Sequence, residues 1–90
     1  ISQQGNIVVN IDQLIHLANR IGDFFDAMPD RAEGVEGVAN HIEKFWEPRM
    51  RRQILEFLVS NPEGRTTESE LSPITLEALN QHRDRLMPKA

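Results

Sequence analysis

Three histidines, a group of aspartates and a run of arginines are the residues of this chain whose types and spacing could do chemistry. Imidazoles serve as metal ligands or proton carriers when the fold gathers them with further ligands or an orienting partner. His16, His41 and His82 fall on three separate helical patterns, so their spacing supports neither use. His16 projects to a polar face and His41 to the margin of an apolar stripe. His82 falls in an apolar sector, where a hydrogen-bonded boundary role is the simpler reading. Asp23, Asp26 and Asp30 lie close together in the chain. An acid–base pair needs burial to separate two carboxyl pKa values, and these positions face solvent or cap a helix. The chain has no nucleophile elbow and no glycine-rich phosphate loop. It has no cysteine, which excludes disulfides, thiolate zinc sites and cysteine-held iron–sulfur clusters. No catalytic, cofactor-binding or metal-ligating residue emerges, and the chain does not read as an enzyme.

Arg49, Arg51 and Arg52 are different, because they break a local rule. They open a helix behind Pro48, where the positive end of the helix dipole favours acidic side chains. Arg51 also projects into the apolar sector formed by Met50, Ile54, Leu55, Phe57 and Leu58. Three readings compete. The arginines form a solvated face paired with Glu43, Glu47 and Glu56; they bind the phosphates of a nucleic acid or a cofactor; or they belong to a protein interface, where Arg is enriched beside Trp, Phe and Met. The net charge of −4 weakens the nucleic-acid reading, and the apolar setting of Arg51 favours the interface. Phe45 and the only tryptophan, Trp46, sit directly before this patch. They continue the apolar stripe of their helix and so belong to a core more often than to an interface. The partner-binding candidates are Phe45, Trp46, Pro48, Arg49, Met50, Arg51 and Arg52, joined by Phe24 and Phe25 from the first helix.

The elements that position these residues are all helical. Asn10 with Gln13 resembles a capping box, and Leu14, Leu17, Ala18, Ile21, Phe24, Phe25 and Met28 follow at helical spacing over about 11–28. This apolar sector covers nearly half the circumference, more than one neighbouring helix hides, so the helix lies centrally or shows a face to a partner. Gly22 lies inside that sector, which predicts close approach of another helix. Pro29 ends the helix, and Asp30 with Glu33 caps a second over 31–46, whose apolar face holds Val35, Val38, Ala39, Ile42, Phe45 and Trp46. Pro48 starts a third over 48–60. Residues 61–70 carry turn chemistry around Pro62 and Gly64 and read as a mobile linker. Ser72 caps and Pro73 begins a fourth helix over 73–86, with Ile74, Ala78, Leu79 and Leu86 on its apolar face. Residues 1–9 read as a flexible tail or cloning remnant. The expected fold is all-α, a compact bundle of about four short helices forming a single domain over 10–90.

Ninety residues, 39% of them hydrophobic and 27% charged, give an ordinary globular composition with a modest core. Ordering a chain costs roughly 1.5 kcal/mol per residue, so burial barely exceeds it at this size. Without disulfides, a partner is the natural source of further stability. No apolar run approaches the ~20 residues that span a bilayer and no signal-peptide pattern opens the sequence, so no membrane association is expected. The absence of cysteine fits a cytoplasmic location.

Three stretches carry a resemblance to a known family. They are Leu17-Ala18-Asn19-Arg20-Ile21-Gly22-Asp23-Phe24-Phe25-Asp26-Ala27-Met28-Pro29, the run from Val38 to Arg51, and Leu71-Ser72-Pro73-Ile74-Thr75-Leu76-Glu77-Ala78-Leu79. In order and spacing they resemble the delta subunit of the cytosolic, NAD-dependent, molybdenum-containing formate dehydrogenases. The most specific part is His-Ile-x-x-Phe-Trp-x-Pro-Arg-Met-Arg, from His41 to Arg51. The linker with Pro62 and Gly64 is longer than is usual there. The resemblance implies a non-catalytic accessory subunit that docks on the catalytic alpha subunit and supports assembly, cofactor retention and stability. It implies no cofactor in this chain; molybdopterin guanine dinucleotide, iron–sulfur clusters and FMN are expected in the partner subunits. A dedicated chaperone that holds the pterin cofactor through the arginines is the alternative, and a helical nucleic-acid-binding module a weaker one. Self-association of the isolated chain through the first helix also stays open.

Overall fold

Two side-chain caps start the first half of the molecule. The computed structural model describes residues 10–89, so the expected tail over 1–9 lies outside the described residues. Asn10 Oδ1 accepts from the Asp12 amide at 2.7 Å and starts α1, Ile11–Asp26. Asp30 Oδ1 accepts from the Ala32 and Glu33 amides at 2.9 and 3.4 Å and starts α2, Arg31–Phe45. Each cap satisfies amide groups that the first turn of a helix leaves open. The first helix stops two residues earlier than its apolar pattern, because Pro29 excludes Met28 from helical geometry. The Met28 amide turns back to the Phe25 carbonyl at 3.1 Å.

Pro48 opens α3, Pro48–Ser60, and Pro73 opens α4, Pro73–Gln81. Ser72 stands at the cap position of α4 without capping it. Its hydroxyl is engaged with the Thr75 hydroxyl at 2.8 Å. The expected helix over 73–86 is interrupted at His82, whose backbone leaves helical geometry, and a single turn, α5, follows over Arg83–Leu86. This break turns Leu86 fully into the core. It also brings Arg85 against α2, where Nε and Nη1 bond Glu43 and Glu36 at 2.8 and 3.0 Å.

The fold is all-α; among the described residues an isolated antiparallel bridge between Arg65 and Glu70 is the sole β feature. Helix α2 packs against α1, α4 and α5, and α1 against α2, α3 and α4. The core between them is built from Leu14, Ile15 and Ala18 of α1, Val35, Val38, Ala39 and Ile42 of α2, Trp46, and Ile54, Leu55 and Leu58 of α3, closed by Leu71, Ile74, Ala78, Leu79 and Leu86. Gly22 permits the tightest contact. A Cβ there would overlap Thr75 Oγ1, and the close approach expected of this glycine is made by the first turn of α4.

The segment between α3 and α4 is tied down rather than mobile. Gly64 takes a φ of 71°, the left-handed geometry glycine allows, and its carbonyl accepts from the Leu71 amide at 2.8 Å. Thr66 Oγ1 donates to Asp12 Oδ1 at 2.7 Å. Asn19 holds the segment's far end from both sides: its amide nitrogen donates to the Glu70 carbonyl at 2.9 Å, and its amide oxygen accepts from the Ser72 amide at 2.8 Å. Long-range polar bonds of this kind leave no periodic signal in a sequence.

Candidate functional site

The corner between α2 and α3 divides its residues between core and surface. Trp46 leaves the helix in an extended conformation and turns inward, 8% exposed. Met50 packs half-buried against the core. Arg51 Nη1 donates to the Leu86 carbonyl at 3.2 Å, and its buried Nε has no hydrogen-bond partner. Phe45, 70% exposed, points outward together with Pro48, Arg49 and Arg52. The pairing weighed for Arg52 with Glu56 is not formed. Neither Arg49 nor Arg52 makes an ion pair among the described residues. Arg49 and Arg52 are thus exposed, unpaired guanidinium groups that follow Phe45 closely in the chain.

The aromatic residues of α1 and α2 form a continuous ladder. Phe24, 72% exposed, meets the half-buried Phe25 edge to face, with ring centres 4.9 Å apart. Phe25 continues to His41 at 6.4 Å, and His41 to Phe45 at 4.7 Å. Edge-to-face and tilted arrangements are those aromatic quadrupoles favour. Gly37 makes the ladder possible, because a side chain at that position would overlap the Phe25 ring. The ladder links the two exposed phenylalanines.

The outer side of α1 supplies the rest of the surface. Leu17 and Phe24 are exposed beside the buried stripe of Leu14, Ile15 and Ala18, with Ile21 partly buried between them and Met28 exposed just past the helix end. Two shallow depressions flank these residues. One, of about 320 Å³, is lined by Arg20, Ile21, Phe24, Phe25 and His41; the other, of about 290 Å³, by Gln13, His16, Leu17 and Arg20. A third, of about 420 Å³, lies beyond Phe25 and contains Glu33 and Glu36. Arg20 was not marked by its local sequence, although it lies three residues after Leu17 and four before Phe24, spacings that place it beside both.

The electrostatics outside this surface are structural. The hydrogen bond from Arg85 holds the Glu43 carboxyl below the ordinary glutamate value, and Arg85 is correspondingly raised. His82 Nε2 lies 3.8 Å from Glu36 at the margin of the same cluster. The histidines are not gathered: no group of three or more His, Cys, Asp or Glu among the described residues could hold a metal ion. Among the described residues no helix is long and apolar enough to cross a membrane.

The arrangement leaves the aromatic ladder, Leu17 and the unpaired Arg20, Arg49 and Arg52 at the surface. No curated protein and no solved structure matches the chain. The family model for the NADH-dependent formate dehydrogenase delta subunit, FdsD, matches residues 13–79. This span contains α2 and α3, most of α1 and α4 and every residue of the aromatic ladder, and the chain belongs to the formate dehydrogenase delta subunit family.

Proposed function

We propose that this chain is a non-catalytic, cytoplasmic accessory subunit that docks on the catalytic alpha subunit of formate dehydrogenase. It contributes to assembly, cofactor retention and stability there. The observation that carries the reading is the ladder Phe24–Phe25–His41–Phe45, with its two ends 72% and 70% exposed and the unpaired Arg49 and Arg52 beyond it in the chain. Exposed aromatics beside arginines are the composition of binding hot spots. A partner would bury the rings and supply carboxylates to the guanidinium groups. Docking acts on the partner by differential binding: if the closed, cofactor-loaded alpha subunit presents the complementary surface better than the open one, the bound chain shifts the population toward it. Molybdopterin guanine dinucleotide, iron–sulfur clusters and FMN belong, in this reading, to the partner subunits.

The test is capture of purified alpha subunit, prepared with and without its molybdenum cofactor, on the immobilised full chain. Stable binding to the loaded subunit, lost in a Phe24→Ser, Phe45→Ser double variant that keeps its fold, is the expected result. Binding to the empty form alone would make the chain a transient assembly factor. Binding to neither form would overturn the proposal.

A further inference from the structure

The stripe on the outer side of α1 has a spacing of its own. Leu17, Ile21 and Phe24 follow at intervals of four and three residues, the alternation by which two helices pack along a common seam. Leu17 and Phe24 are 40% and 72% exposed, Ile21 between them is partly buried against the core, and Met28, just past the end of the helix, is 37% exposed. In the seven-residue frame that this spacing defines, Arg20 stands directly before Ile21 at a flanking position, where charged side chains pair across a helix–helix seam and choose its partner. Arg20 lines both depressions beside the stripe. It makes no hydrogen bond or ion pair among the described residues. Although the chain holds 14 acidic residues, none lines either depression.

We infer that this face receives an amphipathic helix of the partner subunit, one whose apolar seam carries a carboxylate that pairs with Arg20. The inference rests on the accessory-subunit reading and specifies what one part of the docking surface recognises. Helix-in-groove recognition takes anchors at such intervals. Charge decides between occupants. A second copy docking by two-fold symmetry would set this patch against itself, and the depressions beside Arg20, which no acidic residue lines, would offer its guanidinium no carboxylate. A heterologous helix that contributes a carboxylate meets the same patch without repulsion.

The experiment measures affinity of the full chain for purified formate dehydrogenase prepared without its delta subunit. Arg20→Glu weakens binding roughly tenfold or more and Arg20→Gln by less, with the helical circular dichroism and melting temperature of both unchanged, since Arg20 is exposed and unpaired. A photo-crosslinking residue placed at Leu17 captures a helical segment of the complex containing Asp or Glu. Changing that acid to Lys restores affinity for Arg20→Glu. If Arg20→Glu binds like the wild-type chain while Phe45→Ser binds weakly, docking stands and the inference about this face falls. If the wild-type chain does not bind at all, both fall. If the isolated chain sediments as a dimer that Phe24→Ser converts to monomer, the occupant is a second copy and the inference is overturned.

Discussion

The guanidinium of Arg51 reaches from α3 to the carbonyl of Leu86, the last residue of α5, at 3.2 Å. A cation at a helix C-terminus satisfies an open carbonyl and complements the dipole. The apolar setting of Arg51 thus has an internal explanation: its stem lies along the core and its head closes the end of the bundle. Arg51→Ala should therefore act on the fold. A hydrogen bond from a charged group contributes about 1.5–3 kcal/mol, the loss of which lowers the melting temperature of a domain of this size by roughly 6–24 °C. A melting curve unchanged from wild type would mean that this contact contributes nothing.

The neighbouring aromatics should separate in the opposite sense. Trp46 is 8% exposed within the core and Phe45 70% exposed. Trp46→Ala leaves a cavity and costs about 3–5 kcal/mol, whereas Phe45→Ala stays within about 0.5 kcal/mol of wild type. Urea denaturation of the two variants distinguishes them directly. Only for Phe45→Ala does a change in binding to the alpha subunit then report on the interface itself. Comparable destabilisation by both substitutions would contradict the inward turn of Trp46.

The contrast between these two residues marks how far the sequence could be read. Helical periodicity located the helices, and proline and aspartate located their starts, because both signals are local. It could not say which side of α1's wide apolar face was covered. That depends on where α2, α3 and α4 lie, and the packed bundle buries Leu14, Ile15 and Ala18 while leaving Leu17 and Phe24 exposed. Ile15, fully buried, sits at the edge of the helical pattern and was passed over. The break at His82 was invisible for the same reason: it is imposed by the pull of Leu86 into the core and of Arg85 onto Glu43, both contacts across more than forty residues or between separate helices. At the site, the exposed Phe45, Arg49 and Arg52 were recognisable from residue type, and Arg20 required the packed structure to show that its neighbours Leu17 and Phe24 remain uncovered.

Gly22 and Thr75 form the tightest helix crossing. A Cβ at position 22 would overlap Thr75 Oγ1 and lie 3.1 Å from Ser72 Oγ. Gly22→Ala raises helix propensity, yet it forces α4 away from α1, and overpacking of this kind costs about 1–3 kcal/mol. Thr75→Ala removes the obstructing hydroxyl at the cost of its bond with Ser72, so the double variant should be more stable than the sum of the two single effects predicts. A double-mutant cycle by denaturant titration measures the coupling. Additive effects would show that the two residues do not limit the crossing.

Glu43 and Arg85 give the chain an acid-sensitive link between α2 and α5. The hydrogen bond from Arg85, at 2.8 Å, holds the Glu43 carboxyl below its ordinary value of 4.5, so the folded chain binds a proton at this site less readily than the unfolded chain. The link therefore contributes its full stability above the unfolded value. It loses that contribution as the pH falls through the lower, folded value. Glu43→Gln removes the titrating group. At neutral pH the variant should be the less stable protein, and below about pH 4.5 the gap should close as wild-type Glu43 takes up its proton. The comparison of wild type with Glu43→Gln isolates this group from the other carboxylates of the chain. Denaturant midpoints measured for both proteins from roughly pH 7 to pH 3 provide the check. Parallel curves across that range would show that the Arg85 bond is not linked to folding.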